Sequence, residues 1–166
     1  MGQWSRAELV EAIEHYLRQV ELTCETGDWE HFVQLFALDA VYLEHAFGEF
    51  HGRDEIRKWI TTTMGTFPGN EMVGFPTSWW VVDEERDAIV CEIRNVMRDP
   101  GDGSSPYATN ITILRYAGDG LWAGEEDVYN PAHFLTMVTD YLRTSAEHGT
   151  LSDEGAAWAQ AMGIAL

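Results

Sequence analysis

Leu9, Ile13, Tyr16, Leu17, Val20 and Cys24 recur at helical spacing and form one apolar stripe near the start of the chain. Ser5 and Glu8 stand at capping-box spacing before the stripe and Gly27 follows it, which predicts a helix over about Ser5 to Glu25. Asp28 is placed to cap a second helix with Trp29, Phe32, Val33 and Phe36 on one face. The period then falls to two. Val41, Leu43 and His45 alternate with Tyr42 and Glu44 on a short strand ending at His45, with the imidazole closing the more aliphatic face. Ile56, Trp59, Ile60 and Met64 return to helical spacing, and Asp54 and Glu55 suit the positive end of that third helix.

After Pro68-Gly69-Asn70 the period is two again, predicting strands at about Glu71 to Val82, Ala88 to Arg98, Tyr107 to Ala117 and Leu121 to Tyr129. Asp83 to Asp87 and Gly118-Asp119-Gly120 read as hairpin turns, and Pro100 to Pro106 as a loop long enough to act as a flap. Asn130-Pro131 opens a last long helix with Phe134, Val138, Tyr141 and Leu142 on its apolar face. Residues 1–148 are expected to form one domain. The tail 149–166, with a short helix at about Ala156 to Met162, is expected to dock on that domain.

Composition narrows the partners. The chain has 166 residues, 45% of them hydrophobic, enough for one core without disulfides or metals. Ten Lys and Arg face 28 Asp and Glu, a formal net charge of −18, and such a field repels nucleic acid and anionic membranes. Cys24 and Cys91 form no metal-binding or disulfide pattern. No run of about 18 apolar residues and no basic-then-apolar leader is visible, so the expected setting is the cytoplasm.

Three stretches carry a resemblance: the turn Thr26-Gly27-Asp28-Trp29, the run Leu38-Asp39-Ala40-Val41, and His51 to Ile60 opening the third helix. With the order of elements from Ser5 to Ser145, they resemble the SnoaL-like branch of the nuclear-transport-factor-2-like superfamily. The resemblance implies an α+β fold: three N-terminal helices packed against a cone-shaped, curved antiparallel sheet, with a C-terminal helix over its mouth. It implies a pocket for a small apolar molecule and a homodimer paired through the sheet.

In the superfamily's ketosteroid isomerases the base ends the first strand, and the similar stretch Leu43 to Gly48 puts that position on His45. An imidazole there can move protons near neutral pH. SnoaL-type cyclases use a last-strand aspartate, which corresponds to Asp127, expected to orient His45. Alternation places Asn110 and Thr112 on one strand face and Glu125, Asp127 and Tyr129 on another. These residues, with Tyr16 and Trp79, are the expected substrate contacts. The adjacent rings Trp79 and Trp80 must point to opposite faces. His45, Glu49 and His51 match no metal-ligand spacing and cross a turn, so neither metal nor cofactor is expected. Arg94 alternates away from the cavity, leaving the Asp/Arg/Asp set of limonene epoxide hydrolases without its arginine. The function implied is a cofactor-independent isomerase, cyclase or dehydratase acting on an apolar cyclic or polyketide-like substrate. The alternative is a ligand-binding or protein-interaction module on the same scaffold.

Overall fold

A computed structural model describes residues 2–166. Helix α1 (Arg6–Thr26) starts where the Ser5 hydroxyl accepts the Glu8 N–H and stops at Gly27, whose left-handed backbone (φ 72°) suits a residue without Cβ. Helix α2 (Glu30–Val33) is a single turn, with its Glu30 N–H held by Asp28. The longer second helix expected from Trp29 to Phe36 does not form. Instead the Leu35 carbonyl accepts the Trp122 N–H from the last strand, and that long-range bond turns the chain into strand β1 (Phe36–Glu44).

Strand β1 pairs with β2 (Gly48–His51) through a short hairpin, and α3 (Gly52–Met64) follows. The expected Glu71 to Val82 strand is broken near Pro76 into β3 (Met72–Gly74) and β4 (Thr77–Asp83), both paired to β5 (Ala88–Met97). Strands β6 (Tyr107–Gly118) and β7 (Leu121–Val128) complete a seven-stranded sheet of order β2-β1-β7-β6-β5-β3, with β4 also on β5. The sheet is antiparallel except where β1 runs parallel to β7. Asp99 accepts the Gly101 and Gly103 amides and Thr150 donates to the Pro100 carbonyl, so the loop expected to be a flap is tied at its base.

Two apolar clusters cover the concave face. One joins Leu9, Ile13 and Tyr16 of α1, Phe32, Phe36, Tyr42, Ile56 and Ile60 to Ile89, Leu114 and Trp122 of the sheet. The other joins α4 (Pro131–His148) and α5 (Asp153–Ala161) to the far end of the sheet through Phe67, Met97, Met137, Tyr141 and Leu142. The second cluster has a polar anchor: buried Glu71 accepts the Tyr141 hydroxyl (3.0 Å) and pairs with Arg98 (2.7 Å). Helix α5 starts three residues before the expected Ala156, because the Ser152 hydroxyl accepts the Gly155 amide and so caps it. Its Trp158 ring packs on Phe67 (centroids 5.4 Å apart).

Two irregularities aim the side chains that matter. Register shifts along β1–β7 and β6–β7 bring both Trp122 and Glu125 to the buried side. At the β1–β7 contact a Cβ on Gly124 would lie 2.6 Å from the Val41 carbonyl oxygen, so the parallel pair closes only over a glycine. Gly124→Ala is therefore expected to lower stability by about 1–3 kcal/mol, the usual range for overpacking, measured as the shift in urea midpoint.

Candidate functional site

A cavity of about 1000 Å³ lies between the two clusters. Its walls are largely aromatic: Trp29 and Phe32 on one side, Phe50 and Trp59 on another, Phe134 and Trp158 from α4 and α5. Its polar residues gather at the sheet, where Tyr42 and Glu44 of β1, Asn110 and Thr112 of β6, and Glu125 and Asp127 of β7 lie side by side. The pairing makes this unavoidable. Tyr42 is the register partner of Glu125, Glu44 of Asp127, and Asp127 of Thr112, and register partners share a face.

The hydrogen bonds form one connected network. Asp127 Oδ1 accepts from the Thr112 hydroxyl (2.5 Å) and the Asn110 amide (2.7 Å), and Oδ2 from the Tyr42 hydroxyl (2.5 Å). The Asn95 amide donates to Asn110 Oδ1 (2.7 Å) and fixes which way that amide points. Glu125 receives the Tyr16 hydroxyl at 3.1 and 3.3 Å and lies 3.1 Å from the Tyr42 hydroxyl oxygen. Tyr42 has one hydroxyl proton to give. Given to Asp127 across the shorter contact, it leaves the Tyr42–Glu125 contact to a proton on Glu125.

Electrostatics agree with that proton count. Burial pushes the Glu125 carboxyl well above the usual range and the Asp127 charge adds to this, with hydrogen bonds from Tyr42 and Tyr16 offsetting part of it. Burial also raises Asp127, Thr112 and Tyr42 pull it back, Glu44 raises it and Asn110 lowers it. The phenols of Tyr16 and Tyr42 are raised by burial and by these acids, so both stay protonated donors. Glu125 is thus the acid held further toward its protonated form, beside Asp127, where three donors offset part of the rise. Environments that separate two acids in this way assign them opposite roles in proton transfer.

His45 is not part of this arrangement. Its side chain is 49% exposed, its Nε2 lies 3.2 Å from Glu126, and it is absent from the cavity wall. The expected His45–Asp127 contact is replaced by Tyr42–Asp127, because β1 presents Tyr42 and Glu44 inward and Val41, Leu43 and His45 outward. A phase error of one residue exchanges the two faces of a strand. Trp79 is displaced for the same reason: it is 44% exposed on the convex face, while Trp80 packs toward the core. Tyr16, Asn110, Thr112, Glu125, Asp127 and Tyr129 do line the cavity.

Glu44 and Tyr42 were missed. Glu44 is 4% exposed, and its Oε2 accepts the backbone N–H groups of Ala46 (2.8 Å) and Phe47 (2.7 Å). It also helps to raise the phenol of Tyr129, after burial. The signal that could have found them is pairing: once Glu125 and Asp127 face inward, a neighbouring strand must present its own polar residues at the same level.

The fold and site define an α+β cone with an acid-lined apolar cavity. The family model of the SnoaL-like domain matches residues 13–125, and the chain belongs to that family. No curated protein matches it by sequence. Among solved structures it is similar to an LEH-like epoxide hydrolase from M. tuberculosis (15% identity, TM-score 0.62, 85% of this chain and 96% of that one). It is also similar to a hypothetical protein with a ketosteroid isomerase-like fold from Catenulispora acidiphila, in complex with trimethylamine (20%, 0.60, 76% and 91%). A third is a proposed polyketide cyclase from Sinorhizobium meliloti (17%, 0.53, 75% and 100%). At these identities the likeness is one of fold.

The raised Glu125 carboxyl has a consequence for stability. A folded pKa above the unfolded one contributes stability that is complete below the unfolded value, near 4.5, and is lost as pH rises toward the folded value. The loss is about 1.4 kcal/mol per pH unit. Glu125→Gln stays neutral at every pH and keeps one acceptor and one donor. Its stability relative to the parent is expected to rise as pH increases above 4.5, in urea melts at each pH. Parallel curves would show that Glu125 ionises normally.

Proposed function

We propose that the protein is a cofactor-independent acid/base catalyst, an isomerase, cyclase or dehydratase, acting on a small, largely apolar molecule in this cavity. One observation carries the reading: Glu125 and Asp127 share Tyr42 at the wall of an aromatic pocket, but Asp127 has three hydrogen-bond donors while burial raises Glu125 further. Asp127 is the group open to the cavity and acts as the base. Tyr42, Thr112 and Asn110 orient its carboxylate and hold its charge until the proton arrives. Tyr42 commits its one proton to Asp127, and Glu125, held by Tyr16, backs the Tyr42 oxygen, so the base is fixed in place at the cavity wall. The largely apolar walls lower the local dielectric, which strengthens each of these interactions.

Removal of an acidic α-proton tests the base without knowledge of the natural substrate. With 2-tetralone in D₂O, proton NMR is expected to record enzyme-dependent exchange that falls on the order of 100-fold in Asp127→Asn, the low end for a positioned base. In His45→Ala the exchange should be unchanged. Exchange that is absent from the parent, or that survives Asp127→Asn, would exclude the assignment.

The convex face supports a second part of the reading, a homodimer paired through the sheet. Trp79, Val81, Tyr107 and Val128 are exposed apolar residues on β4, β6 and β7, and exposed apolar patches of this kind mark interfaces. Light scattering is expected to give twice the 18.8 kDa chain mass, and Val81→Glu to give the single chain.

A further inference from the structure

The acids of the cavity have no countercharge. Neither Glu44, Glu125 nor Asp127 has a salt-bridge partner among the described residues, whose ion pairs all lie elsewhere. Glu125 is held further toward its protonated form, but Asp127 and Glu44 are adjacent register partners on one face, so their repulsion is built into the strand pairing. Of the residues that line the cavity only Lys58 is cationic, and it sits at an exposed position of α3. A buried charge without a partner is costly, and here the missing partner would stand in open space.

That space is bounded by rings. Tyr129 and Phe134 lie with centroids 4.7 Å apart on the side of the cavity that holds Glu44. Phe47, 63% exposed, and Pro131 also line the cavity. Glu44 is fixed rather than free to swing out, since both turn amides bind its Oε2. A fixed carboxylate beside aromatic faces in an apolar cavity is the environment that recognises an alkylammonium group, through charge and cation–π attraction together.

We propose that the ligand of this cavity is an apolar molecule carrying a protonated amine, with the ammonium held by Glu44 against Tyr129 and Phe134 and the apolar body lying toward Trp59 and Trp158. This rests on the acid/base reading of the site and adds the ligand's chemical class. Glu44 anchors the cation, and Asp127 stays free to take up the proton. The formal charge of −18 draws such ligands toward the protein from a distance.

The test uses three probes with one apolar body: 4-phenylbutylamine, 4-phenylbutanol and 4-phenylbutyrate, titrated calorimetrically into the parent and into Glu44→Gln at pH 7. The side-chain amide of that variant keeps an oxygen for the two turn N–H groups. The amine is expected to bind at least tenfold more tightly than the alcohol, with the acid weakest, and the preference is expected to vanish in Glu44→Gln. Equal binding of amine and alcohol overturns the proposal, as does a preference that persists in Glu44→Gln. Tightest binding of the acid would overturn it too and assign the polar end of the ligand to Lys58 instead. Should Glu44→Gln not fold, the parent series decides the charge preference, and Tyr129→Leu, expected to weaken the amine alone, decides its location. Exchange of 2-tetralone and its loss in Asp127→Asn read the catalytic assignment separately, so either conclusion can fail without the other.

Discussion

Burial of two carboxyl groups at successive inward positions of one strand is the constraint around which this protein is built. In an apolar cavity an unpaired carboxylate is too costly to keep, and two of them repel. Hydroxyl and amide donors make the arrangement tolerable: Thr112, Asn110 and Tyr42 converge on Asp127, while Tyr16 and Tyr42 reach Glu125. The donors come from three separate parts of the fold, so the site exists only when α1, β1, β6 and β7 are assembled. A proton retained on Glu125 completes the network.

The same constraint explains features that otherwise look incidental. The parallel contact of β1 with β7, closed over Gly124, brings Tyr42 level with Glu125 and Glu44 level with Asp127. The register shift near Trp122 lets a large ring fill the core while Glu125, three residues on, still reaches the cavity. Helices α4 and α5 contribute Phe134, Val138 and Trp158 to the wall, so the C-terminal elements, which lie beyond the matched family domain, help to shape the space that a ligand occupies.

Much of the architecture was legible in the chain. Capping residues and periodicity marked α1 and α4, periodicity and first-turn acids marked α3, and Gly-Asp-Gly and Asp-to-Asp turns marked the hairpins, because these signals are local and survive in any context. The inward sets on β6 and β7 were legible too, since alternation separates the two faces of each strand and the family resemblance pointed to the inward one. Strand β1 was not. Val41 and Leu43 form the more aliphatic face, yet they lie on the convex side of the sheet, and Tyr42 and Glu44 face the hollow. Helix α2 failed for a related reason: four apolar residues at helical spacing met a backbone bond from Trp122 that ended the helix after one turn.

By itself the sequence determined the class of fold, the order of elements, the acidic surface and the presence of chemically able residues near the ends of the strands. Which of those residues meet was decided by tertiary structure. A β-strand has two faces that differ by a single residue of phase, and when both carry apolar side chains no local pattern distinguishes them. Only the pairing of β1 with β7 fixes that phase, and it places Glu44 in the cavity and His45 at the surface.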